Sequence, residues 1–294
     1  METPAPPRPE DDNDIKNDKK NQKNSLKIFR HLTNSDGDLS GIPFFAKENF
    51  CSIENPVRVE SNALRDFRSN YNSDVIELLR KNGAELMGTT CLDEFSMGSA
   101  GISTEMNKDN LPKNPWSQSE AFIPGGSSSG SAIVVASGAS VFSIASDTGG
   151  SARLPAALCG VCGFKPTYGV VSRRGLVPLT NSLDCPSLIA QYAQDIEIIF
   201  SKWIQQTSLD ATLLPKSYLQ HNKGLDNLKI GYSPDFYKDI PIDLVIENKL
   251  SSVLNLMADE ISFNIQEIEM PHIPLSVAVY EVISSLEIPS NMSR

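Results

Sequence analysis

Apolar residues along this 294-residue chain fall into short runs divided by polar turns, and the period of each run predicts an element. A turn at Leu39-Ser40-Gly41 leads into a short buried strand ending at Ala46. Ser73 opens a helix whose apolar residues Val75, Ile76, Leu78 and Leu79 recur at helical spacing, and Gly83 closes it. Ala84–Thr90 reads as the strand that follows. Ser131–Gly138 is apolar all round and rich in small residues, the pattern of a buried helix, and Val141–Ser146 reads as a buried strand behind it. Further helices are predicted over Asp195–Gln205 and Ile242–Met257, and strands over Leu228–Tyr232 and Ile261–Ile268. Helices alternating with short strands predict an α/β architecture with a mixed central sheet. No internal repeat and no second domain is visible. Residues 1–38 break the pattern, because the stretch is polar, carries prolines and has few large apolar groups. It reads as a disordered tail before a single domain over 39–294.

Composition narrows the function classes. Forty per cent of residues are hydrophobic and 21% are charged, which suits a globular chain with a sizeable core. The net charge is −10, and the acidic excess lies beyond residue 30. Such a surface argues against gripping a phosphate backbone directly, DNA included. No apolar run reaches the roughly 20 residues of a membrane helix. The N-terminus has no secretory pattern, and its acids make it a poor transit peptide. Five cysteines without a signal predict reduced thiols. Cys159 and Cys162 form a CxxC among small apolar residues, where packing is expected rather than metal binding.

The chemistry concentrates between Gly125 and Gly175, which hold ten of the chain's 18 glycines. Two serine-bearing glycine turns, Gly125-Gly126-Ser127-Ser128 and Thr148-Gly149-Gly150-Ser151, flank two apolar runs. This is a layout for a nucleophile supported by backbone amides. The three histidines, His31, His221 and His272, all lie outside it, and no Gly-x-Ser-x-Gly elbow is present. A buried lysine can act as the base instead, since desolvation favours its neutral amine. Lys47, directly after the apolar run Ile42–Ala46, is the candidate.

Six ordered blocks then resemble the amidase signature family. They are Gly41-Ile42-Pro43 with Lys47-Glu48-Asn49, Asp93 to Gly98, Asn114-Pro115-Trp116, Pro124 to Ala132, Asp147 to Ala156, and Cys159 to Gly169. The resemblance implies the family's fold, a mixed sheet covered by helices on both faces. It also implies a Ser-cisSer-Lys triad, with Lys47 as base, Ser127 after a cis peptide bond as relay, and Ser151 as nucleophile. The amides of Thr148, Gly149 and Gly150, with that of Ser151, would form the oxyanion hole. Met97, Gly126 and Ser128 are expected to contact substrate, and Arg153 to hold the loop, paired with Asp147.

Within the family, Asp93-Glu94-Phe95-Ser96-Met97-Gly98, Tyr168 to Val177 and the closing segment Tyr280 to Arg294 resemble the glutaminase subunits of tRNA-dependent amidotransferases. That resemblance implies glutamine as substrate and a B-type partner subunit. The partner would carry tRNA, use ATP and Mg, and amidate misacylated Glu-tRNA(Gln). It implies a mitochondrial location and a small third subunit as well, with no metal in this chain. The sequence departs from the pattern at Glu48, where the family has Asp, and at Cys51–Pro56, where the family has a Gly/Thr-rich segment. The resemblance stops at Arg294 without the C-terminal part of the family's domain. Two alternatives stay open: a standalone amidase for another small or lipid amide, and a non-catalytic assembly subunit.

Overall fold

The computed structural model describes residues 39–118, 120–204, 209–215, 217, 229–236, 240–259 and 264–294. The tail expected over 1–38 lies outside them. The chain divides into two compact units, Met1–Leu214 and Pro215–Arg294, a boundary the hydrophobic pattern does not announce.

The first unit is built on five strands. They are β1 (Pro43–Lys47), β2 (Glu85–Thr90), β3 (Phe142–Asp147), β4 (Cys162–Phe164) and β5 (Cys185–Ala190), in the order β2-β1-β3-β5-β4. β1 runs parallel to both β2 and β3, whereas β5 is antiparallel to β3 and to β4, so the sheet is mixed as predicted. Among the described residues four α-helices accompany it: α1 (Asp74–Lys81), α2 (Ser129–Ala136), α3 (Arg153–Leu158) and α4 (Ala193–Trp203).

The core falls into two clusters. Phe44 and Phe142 stack at 5.4 Å and join Ile76 and Leu79 of α1 and Ile199 and Trp203 of α4. Trp203 is fully buried, and its indole N–H donates to the Val75 carbonyl at 3.2 Å, which satisfies the polar atom that comes with so large an apolar group. The second cluster is made of small residues: Ala132 and Val135 of α2, Ala152 and Ala156 beside or in α3, Ala145 and Ile189 of the sheet, and Cys159. Small side chains let these two helices lie close against the sheet. α1 forms where its signals predict, with Asp74 and Glu77 in its first turn and Arg80 and Lys81 in its last, each end complementing the helix dipole. All five cysteines are free of disulfides, and Cys159 packs in the core as expected.

The second unit holds the parallel pair β6 (Lys229–Tyr232) and β7 (Asn264–Glu267), with helices α5 (Leu244–Asp259) and α6 (Ser276–Met292). Among the described residues, no helix is long and apolar enough to cross a membrane.

Candidate active site

Strand direction brings the chemistry to one end of the sheet. Lys47 is the last residue of β1, and Ser146 and Asp147 are the last two of β3. The two strands are parallel, so both deliver their final side chains at the same edge. β5 runs the other way and its first residue, Cys185, pairs with Asp147, so Asp184 enters at that edge too.

Lys47 is fully buried. Its Nζ lies 2.7 Å from Ser127 Oγ and 2.9 Å from Ser146 Oγ. Burial pulls its pKa down to about 7, although Asp93, Asp147 and Asp184 pull the other way. Near neutrality the amine is therefore about half uncharged and can take a proton from Ser127. Ser146 also accepts from Asn49 Nδ2 at 2.9 Å, and the same amide group donates to Ser96 Oγ at 3.1 Å. Ser146 thus holds the lysine opposite the hydroxyl it would deprotonate. The pH profile of hydrolysis is expected to rise about tenfold per unit below pH 7 and to level off above it. A kcat/KM profile that is flat from mildly acidic to mildly basic pH would remove Lys47 as the base.

The Gly126–Ser127 peptide is cis, and Ser127 is fully buried. Asp93 braces it from below: its N–H donates to the Ser127 carbonyl, while its carboxylate accepts from the amides of Gly101 and Ser103. Burial raises the Asp93 pKa, and those amides hold it back. The Ser128 N–H donates to the Ser151 carbonyl at 3.0 Å and ties the two serine loops together. Its hydroxyl is buried and donates to the Ser146 carbonyl at 3.2 Å. The hydrogen-bonding groups of Ser128 thus serve the fold. Gly126 is buried, with its N–H given to the Ser99 carbonyl. Of the three expected substrate contacts only Met97 presents a side chain to solvent.

The Asp147 carboxylate organises the loop that carries Ser151. It accepts from the amides of Gly150, Ala152 and Arg153 and takes the Arg153 guanidinium through two contacts at 3.0 and 2.8 Å. Burial pushes its pKa up, and Arg153 with the Ala152 amide more than reverses this, leaving it below the usual range. Arg153 holds the loop, as expected. Of the expected oxyanion donors, the Gly150 N–H points at Asp147 Oδ1 at 2.8 Å. The amides of Thr148, Gly149 and Ser151 make no hydrogen bond among the described residues and are the donors left for an oxyanion. Thr148 is fixed from its side chain, which donates to Asp184 at 2.6 Å. Ser151 is half-buried, and its hydroxyl makes no hydrogen bond among the described residues. The structure joins Lys47 to Ser127 directly, and joins Ser127's loop to Ser151 only through Ser128. Catalytic hydrogen bonds of this kind commonly shorten when substrate arrives.

Sequence reasoning passed over Ser146, Asn49, Asp93 and Asp184 as working groups. Ser146, Asn49 and Asp93 sit in or beside blocks it singled out and Asp184 does not, and their roles depend on contacts between distant segments, such as Lys47 with Ser146 and Thr148 with Asp184.

A family model described as Amidase matches residues 15–294. The chain is 36% identical over 276 residues to a Pediculus humanus subsp. corporis protein named as the mitochondrial A subunit of glutamyl-tRNA(Gln) amidotransferase, covering 87% of this chain and 53% of that one. It is 38% identical over 264 residues to a Methanosarcina barkeri protein named as the A subunit of glutamyl-tRNA(Gln) amidotransferase, covering 88% and 54%. The crystal structure of the A subunit of glutamyl-tRNA(Gln) amidotransferase from Thermotoga maritima superposes with a TM-score of 0.74 at 34% identity, covering 86% of this chain and 55% of that one. The chain spans about half the length of the curated relatives it matches.

Proposed function

The chain belongs to the amidase family, and from that premise we propose that it is the glutaminase component of a glutamyl-tRNA(Gln) amidotransferase. The observation that carries the chemistry is the fully buried Lys47 amine 2.7 Å from the Ser127 hydroxyl. Neutral Lys47 takes the Ser127 proton as Ser127 takes that of Ser151. Ser151 Oγ bonds to the glutamine side-chain carbonyl carbon, and the carbonyl oxygen gains negative charge opposite the amides of Thr148, Gly149 and Ser151. The proton returns through Ser127 to the leaving nitrogen, the C–N bond breaks, and ammonia departs. Water then cleaves the acyl-enzyme to glutamate.

Relatives that carry this component's name support glutamine as substrate over a lipid or other amide. A B-type partner, with ATP and Mg, would receive the ammonia and hold the tRNA, which suits an acidic chain. Relatives with mitochondrial forms support a mitochondrial place of action.

The test is ammonia release from glutamine by the chain alone and with a B-type partner and tRNA. Release that rises with the partner supports the reading. Activity on simple amides without it would favour a standalone amidase. Ser151→Ala is expected to lower hydrolysis at least about 10³-fold and to abolish labelling by a serine-directed fluorophosphonate. Labelling of the wild type at a serine other than Ser151 would refute the assignment of the nucleophile.

A further inference from the structure

The first unit contains a cavity of about 470 Å³ whose wall includes Asp184, Arg173, Arg174, Tyr71, Asn181 and Asp210. We propose that this cavity binds a small molecule through an oxyanion, a phosphate or carboxylate group held by the guanidinium of Arg173 beside that of Arg174. It is separate from the triad, none of whose three residues lines it.

Arg173 brings a positive charge to this wall without a direct counter-ion among the described residues. Arg173 Nη1 donates to the Asn181 carbonyl at 2.7 Å, but Nε and Nη2 reach only Thr212 Oγ1, at 3.4 Å. Among the described residues its guanidinium forms no ion pair, in a chain whose net charge is −10. It lies 5.1 Å over the Tyr168 ring. Arg174 pairs with Asp74 through Nη1 at 2.9 Å and lies 4.8 Å over the Tyr71 ring. Faces stacked on aromatics leave the donor edges of the two forks for planar or tetrahedral oxyanions.

The carboxylates in the wall are engaged by neutral donors rather than by a guanidinium. Asp210 accepts from the Thr212 amide and hydroxyl on one oxygen and from the Arg173 amide on the other. Asp184 accepts from Thr148 and from the amides of Leu179 and Thr180. Both feel Arg173, yet neither is within ion-pair distance of its guanidinium. The cavity's size suits a metabolite rather than a polymer. Asp184 also connects its wall to the nucleophile loop through Thr148.

Isothermal titration calorimetry of the full chain with inorganic phosphate and with acetate tests the proposal. Saturable one-to-one binding of either is expected, and the tighter of the two identifies the group recognised. Arg173→Gln is expected to weaken that binding about tenfold or more, because it removes charge-assisted bonds. Absence of saturable binding of both anions, or unchanged affinity in Arg173→Gln, would overturn the site. If circular dichroism shows that this variant does not fold, Arg174→Gln decides in its place, with the same tenfold loss expected and undiminished affinity as the refuting result.

Discussion

Replacing Lys47 with methionine is expected to abolish hydrolysis and to leave a protein that is more stable than the parent in acid and less stable in base. The catalytic loss follows from removal of the base placed against Ser127, and general-base contributions of this kind are about 10²–10⁴-fold. The stability effect follows from linkage. An unfolded lysine titrates at 10.5 and the folded one at about 7. Between those values the unfolded chain binds the extra proton, so stability of the parent rises with pH across the window. Below pH 7 both states are charged and the fold bears the whole burial penalty, on the order of 5 kcal/mol for this shift. Above 10.5 both are neutral and the penalty is gone. Methionine removes the penalty but takes the lysine partner from the Ser127 hydroxyl, at about 1–3 kcal/mol, and leaves Ser146 Oγ with Asn49 alone. The variant's melting temperature relative to the parent should therefore be highest near pH 6 and fall steadily toward pH 9.5. Parallel melting curves across that range would mean that the amine is not buried as described.

Gly126→Ala is expected to cost activity about 10²-fold or more and to lower stability by about 1–3 kcal/mol. A Cβ at this position would collide with Asp93 Oδ2 and stand 2.8 Å from the Gly101 nitrogen. A second glycine shuts the other exit, since a Cβ at Gly98 would collide with Asp93 Cγ. Asp93 is thus clamped between two glycines and cannot yield without releasing the amides of Gly101 and Ser103. Any shift it makes is passed through its own N–H to the Ser127 carbonyl, and so to the hydroxyl that Lys47 must reach. Parental turnover in purified Gly126→Ala would show that Asp93 does not set the position of Ser127.

The hydrophobic pattern located β1, α1, β2, α2 and β3 to within a few residues, because each carries an uninterrupted period with a turn or cap at its end. It also located β6, β7, α4 and α5, with parts of three of those predictions, at Gln205, Leu228 and 261–263, falling outside the described residues. It passed over β5, which sits fully buried between β3 and β4. Pro186 near its start breaks the strand signal, since proline gives no ladder N–H. α3 is six residues with Pro155 inside it, and β4 is three residues with a glycine at its centre, both too short for a period to register.

At the site, Lys47, Ser127 and Ser151 were legible because they lie in dense local blocks. What the sequence left hidden was how each amide is used. Nothing local says that the Gly150 N–H turns inward to Asp147, or that the Ser128 hydroxyl is spent on a strand carbonyl 18 positions away. Those assignments depend on the register of β3 against β5 and on the helix that starts two residues after Ser151.

The parallel run of β1 and β3 also decides where this protein can change. With Lys47 at the end of β1 and the Ser151 loop leaving the end of β3, the opposite rim of the sheet is left to simple connections such as Ser137-Gly138-Ala139, which is exposed and has open space beside its glycine. Descendants of such a fold can lengthen or decorate that rim without touching the chemistry, whereas at the working rim Gly98 and Gly126 have no room for even a Cβ.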